Sequence, residues 1–205
     1  RFRDDDIELV LGVTGGEEVG DGGSTALAGQ MRARWDRSRT VVIALECLGR
    51  GQLRVLQDGE LMRQPVPRWL MTAARQAAKA PDKPISLYQL PAGCTDVLPF
   101  LIRGYEGLCF VRIAPETGIP ANYHVPGDRP DAIDYRQLVD AIRFVERFIR
   151  EISRPELKPK AGVGTRFASR GKKYREGSIR PGKSRPSKEA KQGSAQDAQN
   201  LGKSS

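Results

Sequence analysis

Two adjacent carboxylates, Glu17 and Glu18, are the first residues of this sequence whose pattern indicates chemistry. They lie in the glycine-rich segment 14–24, TGGEEVGDGGS, directly after the apolar run Ile7–Val13. We predict that this run is a buried strand, and ligand sites in open α/β sheets lie at the carboxyl ends of strands. One carboxylate can bind a metal while its neighbour accepts a proton from water. The alternative is that both glutamates are solvated surface side chains.

A third carboxylate and the single histidine of the chain extend this pattern. Glu46 lies within the apolar run Thr40–Leu48, where a carboxylate is costly to bury unless it is paired or binds metal. The alternative is that Glu46 lies at the exposed end of the strand. His124 follows Tyr123 in the segment NYHVPGD, in a loop between the last predicted strand and the last predicted helix. These residues are therefore candidates for a metal ligand and a phenolic hydrogen-bond donor.

The elements that must position these residues alternate between strands and helices, which favours a mostly parallel sheet covered by helices. Apolar runs predict strands at Ile7–Val13, Thr40–Leu48, Gln52–Leu56, Pro84–Leu90 and Leu108–Ala114. Helical spacing predicts helices at Thr25–Trp35 after an N-cap at Ser24, from Pro67 to about Ala80, near Asp96–Arg103, and at Tyr135–Ile152 after an N-cap at Asp134. The fold class is therefore a three-layer α/β unit.

Two further expectations concern burial. The last helix should turn one apolar stripe to the core, formed by Leu138, Ile142, Val145, Phe148, Ile149 and Ile152. Cys47 and Cys109 lie inside apolar runs and, with Cys94, lack the spacing of a zinc-binding cysteine motif. We therefore expect Cys47 and Cys109 to behave as small buried hydrophobic residues.

The positive charge is concentrated at the C-terminal end. Residues 155–205 contain 13 Lys or Arg and 4 Asp or Glu, which equals the net charge of +9 of the whole chain. We predict a folded domain at 1–154 and a disordered basic tail at 155–205. For the tail we favour a linker or solubilising role over nucleic-acid binding, which would be weak and salt-sensitive. No apolar run reaches the length of about 18 residues typical of a membrane span.

Four segments, taken in order, carry a family resemblance: GGEEVGDGGS before a helix, LECLG, TDVLPF, and YHVPGD before the last helix. Together they resemble the co-catalytic zinc aminopeptidases (M28 peptidases), which are relatives of glutaminyl cyclase. The resemblance spans roughly residues 7–152 and implies the C-terminal portion of a zinc-exopeptidase-like domain. It implies that Glu17 is the general base, that Glu18 and His124 ligate one zinc, that Glu46 ligates a second zinc, and that Tyr123 donates to the oxyanion.

The sequence also departs from the family pattern. Glu46 stands where an aspartate is usual, and Val97 where a histidine is common. The family's first histidine ligand and its metal-bridging aspartate precede the glutamate pair, and Asp4, Asp5 and Asp6 are too close to Glu17 to supply that aspartate. We therefore expect an N-terminally incomplete domain that, by itself, binds zinc weakly.

The activity that the resemblance implies is zinc-dependent removal of N-terminal residues from a peptide or aminoacyl substrate. Two zinc ions occupy the complete family site. Two alternatives stay open at this point: a glutaminyl-cyclase-like acyl transfer on one zinc, and a peptidase-like binding domain without catalysis.

Overall fold

The computed structural model describes residues 7–57, 65–78, 84–89, 94–154 and 157. The helices are α1 (Gly22–Met31), α2 (Arg68–Ala77), α3 (Leu98–Ile102) and α4 (Tyr135–Ile152), and the strands are β1 (Val41–Glu46), β2 (Gln52–Leu56), β3 (Leu87–Tyr88) and β4 (Glu106–Ile113). A short 3-10 turn covers Pro130–Ala132. The predicted basic tail, except for Leu157, and the residues Asp4, Asp5 and Asp6 lie outside the described residues.

The four strands form one mixed sheet in the order β1-β4-β2-β3. Two of its three strand pairs, β1 with β4 and β2 with β3, are parallel, and β2 is antiparallel to β4. The predicted mostly parallel α/β fold is confirmed. The register that pairs Glu46 with Val111 places the carboxyl ends of β1 and β4 side by side.

Alternation along β4 builds the two faces of the sheet, because successive strand residues point to opposite sides. Leu108 and Phe110 face the cluster formed with α2 and α4, whereas Cys109 and Val111 face the opposite cluster. On the second side α3 packs on the sheet, and Ala28 of α1 joins Phe100 and Tyr105 in a smaller cluster. The described residues therefore form three layers. Within the described residues, no helix is both long and apolar enough to cross a membrane.

Helix α4 has the predicted bounds because its start signal is local. The Asp134 carboxylate accepts hydrogen bonds from the backbone amides of Arg136 and Gln137, as a helix N-cap does. The predicted stripe is wrong at Ile142, which is 56% exposed, and Phe144 lies in the core instead. Phe144 and Phe148 both pack edge-to-face on Phe110, with centroids 5.0 and 4.9 Å away, and this orientation turns Ile142 to solvent.

The predicted strand at Ile7–Val13 is wrong. These residues have no assigned strand, and Leu11 and Val13 are 87% and 102% exposed. A strand must satisfy its backbone groups with a neighbour, and among the described strands β1 pairs only with β4. The apolar composition of the segment indicates β propensity but does not supply that neighbour.

The start of α1 also differs from prediction. The helix begins at Gly22, and Ser24, the predicted N-cap, is fully buried within the first turn. The Ser24 hydroxyl donates to the Asp21 carbonyl over 3.1 Å. The glycine pair Gly22–Gly23 turns the chain into the helix earlier than the polar residues of the sequence indicate.

Candidate active site

The glutamate pair lies in a tight turn before α1. The amides of Gly20 and Asp21 both donate to the Glu17 carbonyl over 3.0 Å, and the Gly23 amide donates to the Gly15 carbonyl over 2.8 Å. A Cβ added at Gly23 would lie 2.5 Å from the Gly15 oxygen, so a side chain there would clash with the backbone. The glycines therefore let the chain fold back on itself closely and present Glu17 at its bend.

Glu18 and His124 meet directly. His124 Nε2 lies 2.9 Å from Glu18 Oε1, and the two side chains are 55% and 67% exposed. The His124 ring also stacks on Tyr123, with centroids 3.9 Å apart and planes 18° apart. The loop after β4 thus brings the predicted phenol and imidazole to the predicted glutamate ligand.

Glu46, the last residue of β1, is half-buried and connects to the segment before α3. Its Oε1 accepts a hydrogen bond from the Asp96 amide over 3.2 Å. The Asp96 carboxylate in turn accepts from the Thr14 hydroxyl. Asp96 therefore links the end of β1 to the beginning of the turn that contains the glutamate pair (residues 14–23, the glutamate turn). The motif TDVLPF does not by itself indicate this role of Asp96.

These residues border one cleft of about 420 Å³, open solvent included. Its polar wall contains Glu17, Glu18, Glu46, Thr95 and Tyr123, its thiols are Cys47 and Cys94, and its apolar wall contains Leu56, Val111 and Pro120. Four of the five predicted site residues thus line the cleft, and His124 adjoins it through Glu18 and Tyr123. Leu56 and Val111 belong to the ends of β2 and β4, which sequence analysis did not assign to the site.

Burial and like charges hold a proton more tightly on Glu17 than is usual. The pKa of its carboxyl is raised above the ordinary 4.5, first by burial and then by the charges of Glu18, Asp21 and Asp96, while His124 lowers it. The pKa of the Tyr123 phenol is raised as well, first by burial and then by Glu18 and Glu17. At neutral pH the phenol therefore stays protonated and can donate a hydrogen bond.

The prediction that Cys47 is buried is wrong. The residue is exposed, because the chain leaves β1 at Glu46 and turns at Cys47 with φ of 48°. The cleft nevertheless desolvates its thiol, and this desolvation, followed by the charge of Glu46, raises the pKa of Cys47 to about 11. A thiol with this pKa is a poor nucleophile at neutral pH because little thiolate forms. Cys109 is fully buried, as predicted.

Backbone strain concentrates around this cleft. The described residues other than glycine that have positive φ are Asp21, Cys47, Asn122 and His124. Each lies within the glutamate turn, directly after Glu46, or beside Tyr123. Such conformations cost free energy and cluster at functional sites. The strain therefore supports a functional role for these loops.

The donor atoms of Glu18 and His124 fit a zinc ion, which binds carboxylate oxygen and imidazole nitrogen at about 2.0–2.2 Å. Their separation of 2.9 Å lets both atoms face one ion. Within the described part of the chain, however, no three His, Cys, Asp or Glu side chains are grouped so that they could hold one metal ion. The residues present thus fit as two of the three protein ligands that a catalytic zinc normally has.

Residues 2–149 match the sequence profile of peptidase family M28. Since this match covers more than half of the chain, the chain belongs to that family. A search of curated proteins gave no match.

Solved structures with the same fold include several aminopeptidases. The aminopeptidase from Aneurinibacillus sp. strain AM-1 has a TM-score of 0.54 and 20% identity, covering 67% of this chain and 32% of its own. BSAP, a zinc aminopeptidase from Bacillus subtilis, has a TM-score of 0.54 and 24% identity, covering 68% and 34%. A glutaminyl cyclase from an Acidobacteriales bacterium has a TM-score of 0.50 and 22% identity, covering 64% and 45%. The chain spans about a third of the length of the Aneurinibacillus and Bacillus subtilis aminopeptidases.

Proposed function

We propose that this chain carries the hydrolytic centre of a zinc-dependent, aminopeptidase-type peptidase, with Glu17 as its general base. The observation that carries the proposal is the contact between Glu18 Oε1 and His124 Nε2 at 2.9 Å, beside Glu17 in one cleft. Membership of a peptidase family supports it. A carboxylate and an imidazole that meet next to a partly buried carboxylate supply two metal ligands and a base, which are parts of a centre for metal-assisted hydrolysis.

Glu17 is suited to move the proton. It borders the cleft and its pKa is raised by burial and by neighbouring carboxylates. A general base works best when its pKa lies near the working pH. Glu17 would accept a proton from the attacking water and return it to the leaving amine of the substrate.

Tyr123 is suited to stabilise the negative charge that develops on the substrate carbonyl oxygen. Its phenol stays protonated and lines the same cleft as Glu17. Its stacking on His124 restricts the direction in which the phenol points. Donors that are already oriented toward the developing charge stabilise a transition state without further reorganisation.

Glu18 and His124 would hold one zinc ion, and Glu46 is the candidate ligand of a second. A bound zinc supplies positive charge that polarises a carbonyl and acidifies a nearby water. Because only two ligand side chains meet in the described residues, we infer that the chain by itself binds zinc weakly. The substrate would be a peptide or an aminoacyl amide, and the apolar wall of Leu56, Val111 and Pro120 borders the place where it would bind.

A glutaminyl-cyclase-like acyl transfer is the second candidate, and the structural similarity to a glutaminyl cyclase supports it. The Asp96 amide donates to one oxygen of Glu46, and such a hydrogen bond is compatible with metal ligation, so this contact does not separate the two candidates. A centre with one zinc, held by Glu18 and His124, would suit a cyclase. Metal stoichiometry and the product formed from an N-terminal glutamine peptide distinguish these two candidates.

The test is a zinc titration of the 205-residue chain, followed by an assay on an aminoacyl chromogenic amide at saturating zinc. We expect weak zinc binding and slow, zinc-dependent hydrolysis. Glu17→Gln should lower turnover by about 10²–10⁴-fold, the range of general-base catalysis, and leave zinc affinity unchanged. Equal turnover in the two proteins would refute the role of Glu17. Tight stoichiometric binding would refute the inference of weak binding.

The basic tail is not needed for this proposal. Its prediction as a linker, and the alternative of nucleic-acid binding, concern residues 155–205, which apart from Leu157 lie outside the described residues. Both stay predictions. Removing the residues after Leu157 should leave zinc affinity and hydrolysis unchanged, and a large loss of activity would contradict this.

A further inference from the structure

Asp21 is a buried acid that the proposed chemistry does not use. The residue is only 6% exposed, and its backbone is left-handed with φ of 54°. One carboxylate oxygen, Oδ2, lies 3.0 Å from the thiol sulfur of Cys94, while Oδ1 is buried without a hydrogen-bond partner. A buried carboxylate with so few donors costs free energy, so its position calls for a reason.

Helix capping does not provide that reason. Asp21 directly precedes α1, where an aspartate usually accepts from the backbone amides of the first turn. Here its side chain makes no capping hydrogen bond. The carboxylate is directed instead to Cys94, across 73 positions of sequence.

The backbone of Asp21 is part of the turn that holds Glu17. Its amide donates to the Glu17 carbonyl over 3.0 Å, and its carbonyl accepts from the Thr25 amide over 2.8 Å. The Ser24 hydroxyl donates to the same carbonyl. A displacement of Asp21 would therefore move Glu17 as well.

Cys94 belongs to a segment that borders the cleft beside the glutamate turn. Cys94 and Thr95 both line the cleft. Two residues further on, the Asp96 carboxylate accepts from Thr14 at the beginning of that turn. The turn is thus connected to segment 94–96 at both of its ends, before Glu17 through Thr14 and after Glu18 through Asp21.

We propose that the hydrogen bond between Cys94 and Asp21 clamps the glutamate turn against segment 94–96, which makes Asp21 and Cys94 positioning residues for Glu17. The clamp itself stands on geometry alone. Its effect on catalysis rests on the proposed function, since it acts through the general base.

Two pairs of variants distinguish the loss of the Cys94–Asp21 hydrogen bond from a change in the backbone conformation. Asp21→Gly removes the carboxylate but adopts positive φ without strain, and Asp21→Asn keeps an acceptor and tolerates the same φ. Cys94→Ala removes the donor, and Cys94→Ser restores one. Cys47→Ala is the matched control, because it removes the other thiol of the cleft and should leave the turn unchanged.

The first readout is hydrogen exchange of the backbone amides of residues 17–23, measured on the full chain in zinc-free buffer. A net hydrogen bond of about 0.5–1.5 kcal/mol corresponds to roughly two- to tenfold faster exchange when it is lost. We expect this acceleration in Asp21→Gly and Cys94→Ala and not in Asp21→Asn, Cys94→Ser or Cys47→Ala. The double variant Asp21→Gly/Cys94→Ala should exchange no faster than either single variant, because both remove the same bond.

The second readout is hydrolysis of the aminoacyl amide at saturating zinc. Misplacing a catalytic group lowers kcat, by up to about 10²-fold for a shift of 1 Å. We expect a lower kcat with little change in KM in the two variants that break the clamp, and recovery in Cys94→Ser.

The outcomes of the two readouts are distinguishable. Unchanged exchange in Cys94→Ala, or additive effects in the double variant, would overturn the clamp whatever the activity. Faster exchange in a chain that shows no Glu17-dependent hydrolysis would establish the clamp and refute the proposed function. If Asp21→Gly fails to fold, the comparison of Cys94→Ala with Cys94→Ser still tests whether the hydrogen bond holds the glutamate turn.

Discussion

Glu18 and His124 lie 106 positions apart in the sequence, yet His124 Nε2 is 2.9 Å from Glu18 Oε1. The contact joins the turn before α1 to the loop after β4. Neither loop could form the pair alone. The sheet and its flanking helices bring the loops together, so the site depends on the assembled fold.

Zinc binding should depend on this pair. His124→Asn removes the imidazole but tolerates the left-handed backbone at this position. We expect it to weaken zinc affinity at least about tenfold, because one of the two proposed ligands that meet in the described residues is lost. Isothermal titration with zinc measures the effect.

The control for the zinc experiment is Asp131→Asn. Asp131 forms an exposed ion pair with Arg129 in the same stretch of chain, at 3.0 Å. Its loss should leave zinc affinity unchanged. Equal weakening in both variants would contradict a ligand role for His124.

Glu17 should destabilise the metal-free fold at neutral pH. Its pKa is raised above the ordinary 4.5, so the folded state binds the proton more tightly than the unfolded state. The charged carboxylate therefore costs stability at pH values above its raised pKa, and this cost disappears below the unfolded pKa. Glu17→Gln should have the higher Tm at neutral pH, and the two Tm values should converge under acid conditions.

Thermal unfolding in zinc-free buffer over a series of pH values tests this prediction. Glu8→Gln, outside the glutamate turn, is the control for a change of one charge. A lower Tm of Glu17→Gln at neutral pH would show that the glutamate is stabilised in place and would contradict the electrostatic account.

Asp134, unlike Glu17, should stabilise the fold in its charged form, through the N-terminus of α4. Hydrogen bonds from the Gln137 side chain and then its amide lower the pKa of the Asp134 carboxyl below the ordinary 3.8. Its contribution is therefore present above that value and is lost as pH falls through the lowered pKa. Asp134→Ala should lower the urea midpoint at neutral pH, and the difference should shrink in strong acid.

Asp131→Ala is the matched control for Asp134→Ala, since Asp131 lies three residues earlier in an exposed ion pair. Pairs of this kind contribute little to stability. A midpoint equally lowered in the two variants would mean that charge, and not capping, explains the effect.

The core of α4 should centre on Phe148 and not on Ile142. Phe148 is fully buried and packs on Phe110. Phe148→Ala should lower the free energy of unfolding by about 3–5 kcal/mol, as large-to-small core substitutions do. Ile142→Ala, at an exposed position of the same helix, should change it by less than about 0.5 kcal/mol. Urea unfolding of both variants tests the orientation of the helix, and similar losses would contradict it.

The sequence by itself determined the elements whose causes are local. The bounds of α4 follow from the Asp134 cap and helical spacing, and β1 and β2 follow from apolar runs that end at glycines or polar residues. The candidate site residues could also be proposed from the sequence, because carboxylates, a histidine and a tyrosine stand next to turn-forming residues. Motif order identified the family, to which the match over residues 2–149 assigns the chain.

Only the tertiary structure decided which of these residues meet. The contacts of Glu18 with His124 and of Asp21 with Cys94 connect segments far apart in sequence, and no local pattern specifies such pairs. The same reason explains the wrong prediction for Ile7–Val13, since a strand needs a partner that lies elsewhere in the fold. Which side chains are buried was likewise decided by the tertiary structure. Cys47 is exposed because β1 ends before it. Ile142 is exposed because Phe144 and Phe148 occupy the face of α4 that packs on Phe110.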